Sequence, residues 1–100
     1  MILEIATIYI PAGQQAQFDL AIQRGLDEIM TQSLGYRGHE VHKGIESPER
    51  YMMMIYWDTL ENHTVDFRES PAFAAWRAIV GPYFASPPNV EHFKLLTKSK

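Results

Sequence analysis

The chain has 100 residues, of which 46% are hydrophobic and 21% are charged, and its formal net charge at neutral pH is −3. This composition is typical of one globular domain and provides no basic surface for nucleic acid. The absence of cysteine excludes disulfides, thiolate nucleophiles and iron–sulfur or zinc–thiolate sites. The first residues enter a strand pattern without a basic leader or a long apolar stretch. We therefore expect one cytoplasmic domain over residues 1–100, with no membrane segment.

The first half of the chain shows a strand, a helix and a second strand. The first strand is predicted from Ile2 to Ile10, with mostly apolar side chains on both faces. Pro11-Ala-Gly13 ends this strand, and apolar residues at helical spacing then predict an amphipathic helix over residues 14–31. A second strand is predicted over residues 36–44, and a polar loop connects it to the next strand as a hairpin.

The run from Arg50 to Trp57 is the most informative stretch of the sequence. Its side chains alternate with period two, and both resulting faces are apolar. One face holds Tyr51, Met53, Ile55 and Trp57, and the other holds Met52, Met54 and Tyr56. Because both faces must be covered, the run is predicted to be a central strand of a sheet.

The last part of the chain shows two helix starts and a final strand. Asp58 or Thr59 is the predicted N-cap of a short helix, with Glu61 completing a capping box around Asp58. Ser70-Pro71 is typical of a second helix start. After an aromatic, Pro-rich link, residues 89–96 alternate well enough to predict a last strand.

The element order β-α-β-β-α-β predicts an α+β, ferredoxin-like fold. Right-handed crossovers place the helices on one face of a four-stranded antiparallel sheet. The opposite face would carry an extended apolar set made of Leu3, Ile5, Tyr9, Met52, Met54 and Tyr56. Because such a patch is too large for the surface of a monomer, we expect a homodimer packed sheet to sheet.

Three side chains are candidates for chemistry, and each also has a structural interpretation. Trp57 ends the central strand, where it either borders a cleft between sheet and helices or fills the core. His63 shares a helical stripe with Phe67 and should point inward, as a neutral buried histidine or as a pocket base or donor. Arg77 falls on the same helical face as Phe73, so it either anchors an anion or extends its charge past the apolar residues to solvent.

The remaining histidines do not suggest a metal site. His39 and His42 are three apart on a predicted strand, so they should point to opposite faces. Glu40 shares a face with His42, but two ligands make a weak site. His92, on the last strand, is interpreted as a polar residue of an interface or a sheet edge. We expect no bound metal, and the chain lacks a phosphate-binding loop and a nucleophile elbow.

Six stretches of the chain carry a family resemblance. They lie at residues 3–7, 11–13, 35–39, 51–58, 63–71 and 90–93. The strand that ends in Trp57 before a helix and the helix break Phe67-Arg-Glu-Ser-Pro71 are the most typical features. Together these stretches resemble the antibiotic biosynthesis monooxygenase (ABM) domain family over nearly the whole chain. The resemblance implies a dimeric α/β barrel of two ferredoxin-like subunits, each with a pocket between sheet and helices. For the best-studied members it implies cofactor-independent oxidation of aromatic polyketides or quinols by O2.

The resemblance also implies a set of site residues. Trp57 matches the pocket Trp of the family, and His63 and Arg77 match positions where monooxygenase members have a donor and an Arg. Met53 stands where the polyketide-oxidising members have an Asn. Ala6 and Arg77 stand where the haem-degrading branch has an Asn and a His, so haem degradation is disfavoured.

These observations lead to one functional hypothesis with two alternatives. The hypothesis is a monooxygenase without a cofactor that oxidises a small aromatic, quinol or polyketide-like substrate with O2. His63 would act as base or donor, Arg77 as anion anchor and Trp57 as pocket wall. The substrate-binding residues would be Met53, Phe67, Phe73, Trp76, Tyr83 and Phe84. The first alternative is a non-catalytic, small-ligand-binding or stress-associated dimeric barrel. The second is an isomerase or decarboxylase that consumes no oxygen.

Overall fold

The computed structural model of the protein describes residues 1–100. Its strands are β1 (Ile2–Tyr9), β2 (Tyr36–Lys43), β3 (Arg50–Trp57) and β4 (Asn89–Lys94). Its helical elements are α1 (Gln15–Glu28), α2 (Pro71–Val80), a π-helical segment (Asn62–Phe67) and two 3₁₀ turns (Met30–Gln32 and Gly81–Tyr83). The predicted element order is confirmed. The bounds of β3 are as predicted, whereas β4 and α1 end earlier than their patterns suggested.

The four strands form one antiparallel sheet in the order β2-β3-β1-β4. The two strands with apolar side chains on both faces, β1 and β3, therefore occupy the centre. The register places Ile5 opposite Met54 on β3 and Glu4 opposite His92 on β4. With the helices packed on one face, this is the predicted ferredoxin-like α+β fold.

The core lies between the helices and one face of the sheet. Its strand residues are Ala6, Ile8, Tyr51, Met53, Ile55 and Trp57, and Ile10, directly after β1, joins them. Its helical residues are Phe18, Ile22, Leu26, Met30, Phe67, Trp76 and Val80. At Gly25 the two α-helices come very close, because a Cβ built there would lie 2.8 Å from the Trp76 ring. No helix of the chain combines the length and the apolar character needed to cross a membrane.

The other face of the sheet is left uncovered by the chain's own helices. Most of its central side chains are only half-buried, namely Leu3, Ile5, Thr7, Met52, Met54 and Tyr56. Tyr9 is 45% exposed and Phe93 is 44% exposed. A continuous apolar surface thus runs across the middle of the sheet, opposite the core.

The segment after β3 begins with a capping box that differs from the predicted one. The Asn62 N–H donates to Thr59 Oγ1 at 3.1 Å, and the Thr59 N–H donates to Asn62 Oδ1 at 3.0 Å. Of the two predicted N-cap residues, Thr59 makes the capping contact, whereas the box of Asp58 with Glu61 is wrong, because Asp58 instead pairs with Arg37 at 2.6 Å. An Asn supplies the same reciprocal contact that Glu or Gln usually makes at this position.

The start of α2 is as predicted, with Ser70 at the N-cap position, but the Ser70 side chain makes no capping hydrogen bond to α2. Ser70 has the extended backbone of an N-cap residue and Pro71 is the first helical residue. The Ser70 hydroxyl, however, donates to the Phe67 carbonyl at 2.7 Å. It therefore secures the end of the π-helical segment rather than the first turn of α2.

Candidate active site

A cavity of about 450 Å³ opens between the sheet and α2. Its lining comprises Glu4, Ala6, Ile8, Met53, Arg68, Phe73, Trp76, Arg77, Phe84, Pro87, Pro88 and Val90. Most of this wall is apolar, and the charged side chains in it are one carboxylate and two guanidinium groups. A cavity of this size with few polar groups is typical of a small-molecule site.

The cavity includes five of the nine residues predicted for the site. These five are Met53, Phe73, Trp76, Arg77 and Phe84. Trp57, His63 and Phe67 are buried outside the lining, and Tyr83 packs against Phe18 with ring centroids 5.9 Å apart. The predicted set is thus divided between the wall of the cavity and the layer directly behind it.

Glu4 is a cavity residue for which the sequence analysis assigned no role. It is only 2% exposed, on the helix-facing side of β1. One carboxylate oxygen accepts a hydrogen bond from the Trp57 indole N–H at 2.9 Å, and the same oxygen lies 3.4 Å from His63 Nε2. The sequence contained a hint of this position, because alternate residues of a strand point to the same face, and Glu4 therefore shares a face with Ala6 and Ile8. A carboxylate on an apolar face indicates a special environment.

The π-helical segment places His63 under the sheet, behind Glu4. Such wide turns are rare and often occur at functional sites. The His63 ring stacks on Trp57, with centroids 5.4 Å apart and an interplanar angle of 20°. Its Nδ1 lies 2.8 Å from Nε2 of His92, which sits opposite Glu4 in the sheet. Glu4, His63 and His92 thus make a continuous polar path, called here the Glu4–His63–His92 path.

The surroundings shift the pKa of all three residues of the Glu4–His63–His92 path. Burial raises the pKa of Glu4 to about 7, against the opposing effects of the Trp57 hydrogen bond and the Arg68 charge. Burial, assisted by Arg68 and His92, lowers the pKa of His63 to about 3. The pKa of His92 is also lowered, by burial and then by Arg68. His63 is therefore neutral at pH 7, and Glu4 is close to its titration midpoint.

The histidines of the protein do not assemble into a metal centre. His63 meets Glu4 and His92 with opposite ring nitrogens, so the three side chains cannot converge on one ion. His39 and His42 occupy opposite faces of β2, as predicted, since they pair with Ile55 and Met52 respectively. No group of three His, Asp or Glu side chains is arranged to hold a metal ion.

Two arginines stand at the rim of the cavity. Arg68 follows the π-helical segment and Arg77 lies on α2, and both are exposed. The Arg77 guanidinium lies 5.8 Å from the centre of the Phe73 ring, which also lines the cavity, so both interpretations of Arg77 stay predictions. Neither guanidinium takes part in an ion pair within the chain. An anionic group in the cavity would therefore find two free cations.

The chain is similar to several known proteins. Protein YczJ of Bacillus subtilis strain 168, described as uncharacterised, is 32% identical over 94 residues, which are 94% of this chain and 98% of YczJ. A solved structure of a candidate antibiotic biosynthesis monooxygenase from Bordetella bronchiseptica is 38% identical. It superimposes with a TM-score of 0.90 over 96% of this chain and 97% of that one.

A more distant likeness concerns the fold alone. A mutant of SnoaB from Streptomyces nogalater, described as a cofactor-independent oxygenase, is 11% identical, with a TM-score of 0.81 over 97% of this chain and 94% of that chain. At the level of sequence, the family described as antibiotic biosynthesis monooxygenase matches residues 1–79. A match over that much of the sequence shows that the chain belongs to the antibiotic biosynthesis monooxygenase family.

Proposed function

We propose that the protein is a monooxygenase that oxidises a small aromatic, quinol or polyketide-like substrate with O2 and without a cofactor. The observation that carries this proposal is the composition of the cavity, in which a buried carboxyl group and two unpaired guanidinium groups border an otherwise apolar space. Membership of the monooxygenase family supports the reaction class. The cofactor-independent oxygenase SnoaB shares the fold, which makes chemistry without a cofactor a reasonable hypothesis for this chain.

The charges of the cavity suit a substrate that reacts as an anion. Triplet O2 reacts slowly with closed-shell molecules, but an electron-rich phenolate or enolate can transfer an electron to it directly. Arg68 and Arg77 would stabilise that anion, because guanidinium groups bind oxyanions in a fixed geometry. Glu4, with a pKa raised to about 7, would accept the proton released by the substrate.

The proposed reaction balances without an external reductant when the substrate carries a CH2 group activated by a neighbouring phenol or ketone. Removal of one C–H proton gives a carbanion, which passes one electron to O2. The resulting radical and superoxide combine to form a C–O bond, and a proton converts the product into a hydroperoxide. Loss of water then leaves a C=O group, so that one oxygen atom enters the substrate and the other becomes water.

The predicted site residues divide into two roles in this proposal. Met53, Phe73, Trp76 and Phe84 would contact the substrate, since they border the cavity. Trp57 and His63 would act through Glu4, which they contact from behind the wall. Phe67 and Tyr83 would support the aromatic layer, because Phe67 packs on Phe73 and Tyr83 packs on Phe18, which in turn contacts Phe84.

We also propose that two copies of the chain form a dimer through the uncovered sheet face. The central residues of this face, among them Ile5 and its cross-strand partner Met54, stay half-buried in the single chain. Full burial of each large apolar side chain contributes about 1.5–3 kcal/mol. Several such residues would outweigh the loss of rotational and translational freedom on association.

Oxygen uptake by chelator-treated protein tests the reaction class. The panel should contain quinols, anthrones and naphthols, with ¹⁸O₂ to trace the oxygen atoms. We expect one O2 consumed per product and one labelled oxygen atom in that product. Arg77→Gln should reduce uptake at low substrate concentration, whereas Arg24→Gln, which removes an exposed arginine paired with Glu28, should not.

A second candidate function is a non-catalytic barrel that binds a small ligand. It is favoured by the full burial of Trp57 and Phe67, which behave as core residues. Binding of a panel compound, seen as quenching of tryptophan fluorescence, without oxygen uptake would support this candidate. Conversion of a compound without oxygen uptake would instead indicate an isomerase or a decarboxylase.

A further inference from the structure

We infer that Glu4, His63 and His92 form a proton relay that connects the cavity to the edge of the sheet. The inference rests on the proposed function, because an ionising substrate releases a proton into a cavity with mostly apolar walls. The same reaction takes a proton back when the hydroperoxide forms, so none is lost overall, and the relay would let Glu4 exchange protons with solvent in both directions within a turnover. His92, on β4, would be the outer member of the relay.

The contacts run in one direction, from the cavity to the surface. Glu4 is the carboxylate in the cavity lining, and its oxygen lies 3.4 Å from His63 Nε2. A shortening of about 0.4 Å would bring these two atoms to ordinary hydrogen-bond distance. His63 Nδ1 already lies 2.8 Å from His92 Nε2. His92 is half-buried on the edge strand β4, so it is the residue of the Glu4–His63–His92 path that solvent reaches.

The geometry accommodates two arrangements of the protons. When Glu4 is ionised, His63 carries its proton on Nε2 and donates it to the carboxylate, while His63 Nδ1 accepts a proton from His92 Nε2. When Glu4 is protonated, the carboxyl donates to His63 Nε2, and His63 Nδ1–H donates to His92 Nε2. Both arrangements use the same atoms, and each gives both contacts one donor and one acceptor.

Passage between the two arrangements moves one proton outward. The Glu4 O–H bond breaks and the His63 Nε2–H bond forms. At the same time the His63 Nδ1–H bond breaks and the His92 Nε2–H bond forms. The His92 Nδ1–H proton passes to water. Glu4 ends as a carboxylate, both histidines end neutral, and the solvent has gained one proton.

The surroundings disfavour a positively charged histidine, so they favour a transfer in which both histidines begin and end neutral. Arg68 acts electrostatically on Glu4, His63 and His92, and Arg77 shares the cavity with Glu4. The other contact of Glu4 is the Trp57 indole, which is not titratable in this range. Burial, and after it the Arg68 charge, lowers the pKa of both histidines, so a proton moves through them without remaining on them.

Histidine NMR tests the relay without any substrate. In ¹⁵N-labelled full-length protein, two-bond ¹⁵N–¹H spectra distinguish a ring nitrogen that carries hydrogen from one with a free lone pair. Between pH 5.5 and pH 8.5 we expect the His63 proton to change from Nδ1 to Nε2. The midpoint should match that of the Glu4 carboxyl, followed in parallel by ¹³C NMR, near the pKa of about 7.

The matched variant is Glu4→Gln, in which His63 should keep one tautomer at every pH. His42, which contacts Glu40 at 3.0 Å on the other sheet face, is the internal control and should give the same ring signals in both proteins. A single His63 tautomer across the pH range in the wild-type protein would overturn the relay, and so would a change of tautomer that persists in Glu4→Gln.

The wild-type comparison remains decisive even if the Glu4→Gln protein does not fold. In that case the relay stands only if the His63 and Glu4 midpoints coincide. Because these measurements involve neither oxygen nor substrate, their failure is separate from a failure of the oxygen-uptake experiment. A tautomer change in a protein that takes up no oxygen supports the relay and counts only against the oxygenase.

Discussion

The indole N–H of Trp57 donates to the carboxylate of Glu4 at 2.9 Å, and both side chains are buried, with 0% and 2% exposure. Trp57 does not line the cavity, yet it holds the carboxylate that does. The last residue of β3 therefore orients the charged residue of β1. A hydrogen bond to the charged form also limits the rise of the Glu4 pKa that burial causes.

Replacing Trp57 with Phe should change both stability and acidity. The variant loses the indole N–H and leaves a small void, so we expect the free energy of unfolding to fall by about 2–4 kcal/mol. Without this hydrogen bond, the pKa of Glu4 should rise further above its ordinary value. Urea unfolding measures the first effect, and ¹³C NMR of the Glu4 carboxyl measures the second.

Trp76→Phe is the matched control for that variant. Trp76 is also buried, at 5% exposure, but it makes no hydrogen bond to Glu4. This control should lower stability without moving the Glu4 titration. Equal titration curves for the two variants and the wild type would contradict the role given to the indole.

Replacing Glu4 with Gln should make the protein less sensitive to alkaline pH. Burial raises the Glu4 pKa from its ordinary value to about 7, so between these values the folded state binds more protons than the unfolded state. The free energy of unfolding of the wild type therefore loses the contribution of this group as the pH rises through 7. The stability of Glu4→Gln relative to wild type should increase from pH 5 to pH 8, by up to roughly 3 kcal/mol.

Urea unfolding of both proteins at pH 5 and pH 8 measures this difference. Glu61→Gln, at an exposed position outside every ion pair of the chain, should show a difference from wild type that does not change with pH. A relative stability of Glu4→Gln that stays constant, or that falls as the pH rises, would argue against a buried Glu4 with a raised pKa.

The two rim arginines should contribute to binding of an anionic aromatic ligand. Loss of either guanidinium, in Arg68→Gln or Arg77→Gln, should weaken binding of 2-naphthoate about tenfold, since both groups are exposed and partly screened. Tryptophan fluorescence titration at low and high salt measures this effect. Arg24→Gln should bind like wild type, and equal affinities for all four proteins would remove the arginines from ligand recognition.

A charge on the uncovered sheet face should prevent association. Met54 lies at the centre of that face opposite Ile5, so Met54→Glu would place a carboxylate in the proposed dimer interface. We expect the wild type to have a dimeric mass by light scattering at micromolar concentration and the variant to have a monomeric mass. Leu20→Glu, at a position 71% exposed on α1, should remain dimeric. A monomeric wild type would disprove the proposed dimer.

Much of the fold could be predicted because its signals are local. The alternation of Tyr51, Met53 and Ile55 with Met52 and Met54 required a strand covered on both faces, and β3 has the predicted bounds at the centre of the sheet. Pro11 and Gly13 end the first strand and Ser70-Pro71 begins α2, and each of these effects is limited to the neighbouring residues. Such patterns depend on neighbouring side chains and not on distant parts of the chain.

The candidate site was predicted less completely because its contacts join distant residues. Arg77 and Phe73 could be assigned to one face of a helix from spacing alone. Glu4 meets Trp57 across 53 positions of sequence, and His63 meets His92 across 29. His92 was interpreted as an edge or interface residue, since nothing in its own strand pointed to the π-helical segment.

The sequence by itself determined the element order, the central place of β3 and the apolar character of both sheet faces, because period and composition dictate these through local geometry and burial. Only the tertiary structure decided which polar groups share the interior. The antiparallel register set Glu4 opposite His92, and the wide turn after β3 placed His63 beside them. Burial together with these contacts then raised the pKa of Glu4 and lowered that of His63. The acidity of a group depends on its dielectric surroundings and nearby charges, which exist only once the chain has folded.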